Sequence, residues 1–164
     1  MTMIISYLPP NKIIIDGSVL AFNEKRDSVR IKLGQQHQED DQVISIGEPG
    51  KEIHQWRDIF KNFKSSDNFF FLGYNKEGLL SEVEIHYCDS IEVNDASFSF
   101  EEDLESIASK LIKYSPVNKK IEGEYFFSTI KVVLMDENSM GGEGSSLGYF
   151  YCTSDSTHLE DSDN

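Results

Sequence analysis

The sequence predicts an α+β fold: an antiparallel β-sheet with two main helices packed on one face. Three observations lead there. Short alternating segments such as SEVEIHY and KVVLM recur along the chain, separated by turn residues. Two stretches instead carry apolar residues at helical spacing. At 164 residues, 38% hydrophobic and 12% aromatic, the chain has enough apolar content for one packed core.

MIISYL and KIIIDGSVLAF read as strands, with Asp16-Gly17 favouring a tight type I′ hairpin turn. SVRIKLG alternates Val29, Ile31 and Leu33 before Gly34 and reads as a third strand. QQHQEDDQ is loop-like, VISIG is a short apolar run, and Pro49-Gly50 punctuates. Ile53, Trp56, Phe60 and Phe63 then fall at i, i+3, i+7 and i+10, which predicts an amphipathic helix over 51–63. FFFLGYN is a strand and 75–78 a turn. The long run LLSEVEIHYCDSIEVN follows, with Val83, Ile85 and Tyr87 on one face and Glu82, Glu84, His86 and Cys88 on the other.

Ser99 and Glu102 match a capping box for a second helix. Its apolar face is Leu104, Ile107, Ala108, Leu111 and Ile112, and Pro116 stops it. GEYFF, TIKVVLMD and LGYFYC complete the strands. Residues 51–93 and 99–152 thus read as a loose repetition of a helix followed by a meander. Residues 1–152 form one domain, and 153–164 read as a flexible acidic tail.

Charge narrows the function. Fifteen basic residues against 29 acidic ones leave a net of −14, which repels nucleic acid and anionic membranes and attracts basic partners. The acids are uneven: residues 81–105 hold Glu82, Glu84, Asp89, Glu92, Asp95, Glu101, Glu102, Asp103 and Glu105 with no base among them. The N-terminus carries no signal-peptide pattern, and two cysteines without CxxC spacing suit free thiols in a reducing cytoplasm.

Catalytic motifs are missing from the sequence. GGEGSSLG lacks the lysine of a phosphate-binding loop, precedes a strand, and carries Glu143 where an anion would sit. It reads as a mobile acidic hairpin tip. Four potential metal ligands, Glu82, Glu84, His86 and Cys88, share one strand face, but alternate residues stand about 7 Å apart, too far for all four to hold one ion. Tyr149 and Tyr151 share a face of the last strand and suit either core or a protein contact.

The segment LLSEVEIHYCDSIEVNDASFSFEEDLESIASKL, with the glycine loop and its acids, resembles bacterial immunity proteins, the antidotes of polymorphic or contact-dependent growth-inhibition toxins. The resemblance spans about residues 51–152. It implies a cytoplasmic protein without cofactor or enzymatic activity, held in a one-to-one complex with a basic toxin domain, a nuclease by charge. The partner-binding residues expected on that basis are Glu82, Glu84, His86, Asp136, Glu137, Glu143, Tyr149 and Tyr151. The alternatives are a small metal-binding protein or enzyme built on Glu82, Glu84, His86 and Cys88, or an adaptor subunit of a larger complex.

Overall fold

The computed structural model describes residues 2–47 and 49–160. In chain order the elements are β1 (Ile4–Leu8), β2 (Lys12–Ile15), β3 (Ser18–Ala21), α1 (Arg26–Lys32), β4 (Gln38–Glu39), β5 (Gln42–Ser45), β6 (Glu52–Lys61), β7 (Phe69–Tyr74), β8 (Leu80–Tyr87), β9 (Ser90–Val93), β10 (Ala96–Phe98), α2 (Leu104–Leu111), β11 (Lys119–Ile121), β12 (Glu124–Phe127), β13 (Val132–Asp136), β14 (Leu147–Thr153) and a closing turn, α3 (Thr157–Glu160).

The class is α+β, with the strands divided between two sheets. The smaller has the order β10-β9-β1-β2-β3, and the larger has β11-β12-β13-β14-β8-β7-β6-β4 with β5 added on β6. Every pairing is antiparallel except β1 with β9. One core lies between the sheets, fed by Ile5, Tyr7, Ile13 and Ile91 from the small sheet and Phe60, Phe70, Leu72, Ile85, Leu134 and Phe150 from the large one. Both helices pack into it, through Val29 of α1 and through Leu104, Ile107, Ala108 and Leu111 of α2. The outer face of the large sheet carries a second, smaller apolar cluster of Phe126, Val133 and Tyr151, and the candidate site lies beside it.

Two expectations about local structure are reversed. Residues 51–63 form strand β6 instead of a helix: Phe60 and Asp58 face the core while Ile53 is half exposed, so the apolar spacing there came from residues that do not share a buried face. SVRIKL is helix α1 instead of a strand. It buries Val29 and Leu33, one turn apart, and exposes Ile31. At α2 the cap is Asp103, whose carboxylate accepts from the Glu105 N–H at 3.1 Å, and not the Ser99–Glu102 box.

The repetition is present, but in a different frame. Its unit is a β-hairpin, a helix and a three-stranded meander: β2-β3-α1-β6-β7-β8, then β9-β10-α2-β12-β13-β14. In this frame Ile13 matches Ile91, Phe22 matches Phe100, Glu24 matches Glu102, Ser28 matches Ser106, Lys32 matches Lys110 and Leu33 matches Leu111. The joints match too. The Glu24 carbonyl accepts from Leu80 N–H and the Glu102 carbonyl from Leu147 N–H, at 2.8 and 3.0 Å. Each helix start bridges to the loop before the last strand, Lys25 to Leu79 and Asp103 to Ser146. The meanders share a register shift, between Gly73 and Tyr74 in one and Met135 and Asp136 in the other.

The units meet where β8 pairs antiparallel with β14, Glu84 directly opposite Tyr151. Matching Leu80 to Leu147 makes Glu84 and Tyr151 equivalent positions, so an approximate two-fold axis passes between them. Cys88 and Cys152 are both free and both face the core.

Of the expected tail, Thr153 is the buried end of β14 and residues 154–160 fold back. Ser156 is buried, and Leu159 packs on Phe126, Val133 and Tyr151. Residues 161–164 of that tail lie outside the described residues.

Candidate functional site on the outer sheet face

Strand alternation brings five of the expected residues together. Glu82, Glu84 and His86 point outward from β8, and Tyr149 and Tyr151 point outward from the neighbouring β14. They bond across the strands: Tyr149 Oη donates to Glu84 Oε1 at 2.8 Å, and Tyr151 Oη donates to Glu82 Oε2 at 2.5 Å. Since Glu82 matches Tyr149 as Glu84 matches Tyr151, the approximate two-fold turns one bond into the other. One unit supplies the acceptors and the other the donors.

Around this crossed pair lies a continuous aromatic surface. The His86 ring sits 4.9 Å from Phe71, 5.3 Å from Phe69 and 5.2 Å from Tyr149, and Tyr149 stacks on Tyr151. Arg57 of β6 lies over Phe71 with its guanidinium 4.5 Å from the ring centre. Its Nε donates to Asp40 at 2.6 Å, and Nη1 stands 3.7 Å from Glu84 Oε2. Gly73 belongs to the same construction. A Cβ there would meet Glu82 Cγ at 2.5 Å, so the Glu82 side chain lies across bare backbone.

Burial sets the electrostatics. Burial raises the Glu84 carboxyl above the ordinary range, and the charge of Glu82 adds to it; the Tyr149 hydrogen bond and the more distant Arg57 oppose without cancelling. His86 is lowered, by burial and then by the Arg57 charge, which favours neutral imidazole. Both tyrosines are raised, chiefly by burial, and remain phenols that donate to the carboxylates.

A groove of about 290 Å³ runs from Glu82 and Glu84 past Tyr149 and Tyr151 to Val133, Met135 and Leu159. A neighbouring hollow of about 240 Å³ shares Val133, Met135 and Leu159 and continues to Phe126, Glu124 and Lys119. The arrangement is a slot with an apolar floor and a carboxylate pair at one end, suited to a cationic side chain on an aliphatic stem.

The other three expected residues lie elsewhere. Asp136, Glu137 and Glu143 occupy the β13–β14 tip, at the Leu147 end of β14. That tip is a hydrogen-bonded turn. Asp136 Oδ1 accepts from Ser139 N–H at 2.8 Å, Gly142 N–H donates to the Glu137 carbonyl at 2.8 Å, and Gly141 and Gly144 take φ of 90° and 101°. Gly148 is required at its base, because a Cβ would meet the Asp136 carbonyl oxygen at 2.9 Å. Glu143 is exposed there.

Cys88 does not join Glu82, Glu84 and His86. It falls just past the end of β8 and turns into the core, where burial raises its thiol to about 12. Among the described residues no three histidine, cysteine or carboxylate side chains gather as metal ligands. Sequence reasoning missed Arg57, Phe71 and Met135; the alternation in FFFLGY and KVVLMD would place Phe71 and Met135 on the outer face. No helix of the described residues is long and apolar enough to cross a membrane. Comparison with protein-family models, with curated proteins and with solved structures finds no match.

Proposed function

We propose that the chain is an inhibitor of the immunity-protein kind, which binds a cognate basic toxin domain, a nuclease by charge, and blocks it. The observation that carries this reading is Glu84, a largely buried carboxylate in an aromatic slot whose nearest guanidinium is 3.7 Å away. Such a group is poorly compensated while the slot is open. A lysine or arginine of a partner restores the lost solvation and gains the half-buried ring of Tyr149. The net charge of −14 steers a basic partner toward the protein, and Glu143 at the tip offers a second contact. Occupying a nuclease's cationic residues removes the groups that would hold a phosphodiester backbone.

Co-expression with the protein encoded immediately upstream tests the reading: protection of growth and a stable one-to-one complex are expected. Glu82→Gln with Glu84→Gln leaves the fold intact and weakens the complex by about 2–5 kcal/mol, as loss of a desolvated charge pair does. A partner cation also lowers the Glu84 pKa, so complex formation expels its proton. Affinity therefore rises with pH until free Glu84 is ionised, then levels. Failure to protect against, or to bind, any basic toxin domain overturns the proposal.

A further inference from the structure

Beyond the last residues that pair with β4 and β7, β6 continues outward with β5 as a two-stranded arm. Gln42 pairs with Gln55, Val43 with His54, Ile44 with Ile53 and Ser45 with Glu52. The second unit has no such element. There β11 pairs with β12 as β4 pairs with β6, and the chain turns back at once through Ile121 and Glu124. The arm is therefore an insertion that closing the fold does not require.

Its surface gathers exposed aliphatic side chains. Val43, Ile44, Ile46 and Ile53 are 57%, 41%, 51% and 50% exposed. Paired residues share a face, so Ile44 and Ile53, with Ile46 two residues on, form one aliphatic patch. Both long edges of the arm are open among the described residues: β5 pairs only with β6, and β7 stops opposite Trp56. Ile46 N–H donates inward to the Lys51 carbonyl at 3.2 Å, so by antiparallel alternation Val43 and Ser45 present their N–H and C=O outward. An isolated two-stranded hairpin is marginal in water, and a further strand on its open edge satisfies the outward backbone groups and sets new side chains beside Ile44.

We infer that the arm is a self-association element, with β5 pairing antiparallel to β5 of a second copy to make a four-stranded sheet around a true two-fold axis. Charge selects this occupant. Residues 42–56 hold Glu48, Glu52 and Lys51, nearly neutral within a chain of net −14. A basic partner is drawn to the acidic faces. A second acidic copy is tolerated only where charge is thin and the bodies stay apart. An arm of about five residues per strand reaches roughly 16 Å, about twice the screening length at physiological salt. The inference is independent of the proposed function.

The test is the mass of the full chain by light scattering across concentration and ionic strength. The mass should climb from 18.7 kDa toward twice that value as concentration rises, and added salt should favour the dimer by screening repulsion. Ile44→Lys with Ile53→Lys places like charges on the patch and should weaken association by about tenfold or more. Val43→Pro removes an outward N–H without breaking the β5–β6 ladder and should do the same, its unchanged circular dichroism showing that the arm persists. A chain that stays monomeric at high concentration and salt overturns the inference, as does a dimer indifferent to these variants.

Discussion

The two units solve one mechanical problem, fixing a helix to the first strand of its meander, with opposite chemistry. In the first, α1 brings the cations. Arg26 and Arg30 donate to Asp58, whose side chain is fully buried, at 2.9 and 2.7 Å. Asp41 and Glu39 complete the set around the same arginines. In the second, Tyr125 occupies the place of Asp58 and Leu104 and Ala108 those of Arg26 and Arg30. The polar part has reversed sign: Glu105 of α2 accepts from Tyr125 and Lys120. A buried ion cluster holds one helix and apolar packing holds the other, on nearly the same backbone. Geometry here was set by the repeat, and charge could vary within it.

The largest test removes the ionic joint. Asp58→Ala removes the one buried partner of the two arginines, leaving them Asp41 and Glu39, and should lower stability by about 3 kcal/mol, read by chemical denaturation at neutral pH. Burial works to raise the Asp58 pKa, but the hydrogen bonds and charges of Arg30 and Arg26 outweigh it and hold the carboxyl below the ordinary range. Its contribution is therefore present at neutral pH and fades as pH falls through the folded-state pKa, below about 3.9, so the gap between variant and parent narrows in acid. Copying the second unit, with Arg26→Leu, Arg30→Ala and Asp58→Tyr together, should recover most of the loss. If the triple variant is no better than D58A, the two joints are not interchangeable.

A smaller effect, of opposite sign, is expected at the axis. Glu84 carries a raised pKa, so its ionisation opposes folding at neutral pH and is neutral below the ordinary glutamate range of about 4.3. Glu84→Gln should raise stability modestly at pH 7 and not in acid, while weakening the proposed complex. A variant that binds as well as the parent would detach Glu84 from function. The smallest effect concerns the insertion. Replacing residues 43–54 with Asn-Gly closes the hairpin at the Gln42–Gln55 pair and should leave stability within about 0.5 kcal/mol, since the second unit folds without an arm.

Much of the second unit could be read from sequence because its buried positions are apolar. Leu104, Ile107, Ala108 and Leu111 report a helix directly, and TIKVVLMD and LGYFYC report β13 and β14. The first unit hides its period. Asp58 takes a core position on β6 and erases the alternation, while Ile53 on the arm supplies a false helical spacing with Trp56 and Phe60. Arg26 and Arg30 occupy the α1 positions that Leu104 and Ala108 fill in α2, so only Val29 and Leu33 mark the buried face and Ile31 imitates a strand. The grouping of Glu82, Glu84 and His86 followed from period two. Their meeting with Tyr149 and Tyr151 required the β8–β14 pairing, a contact between strands 65 or more residues apart that no local pattern encodes.

The two buried thiols turn this architecture into its own clock. Cys152 lies on β14 beside the axis and Cys88 just beyond the end of β8, and burial raises both far from the reactive thiolate. A thiol reagent can reach either one only when the core around it opens. The rate of labelling therefore times that opening, in purified protein or inside a growing cell, with no engineered probe. A partner that seats on the outer face of the same two strands should slow it.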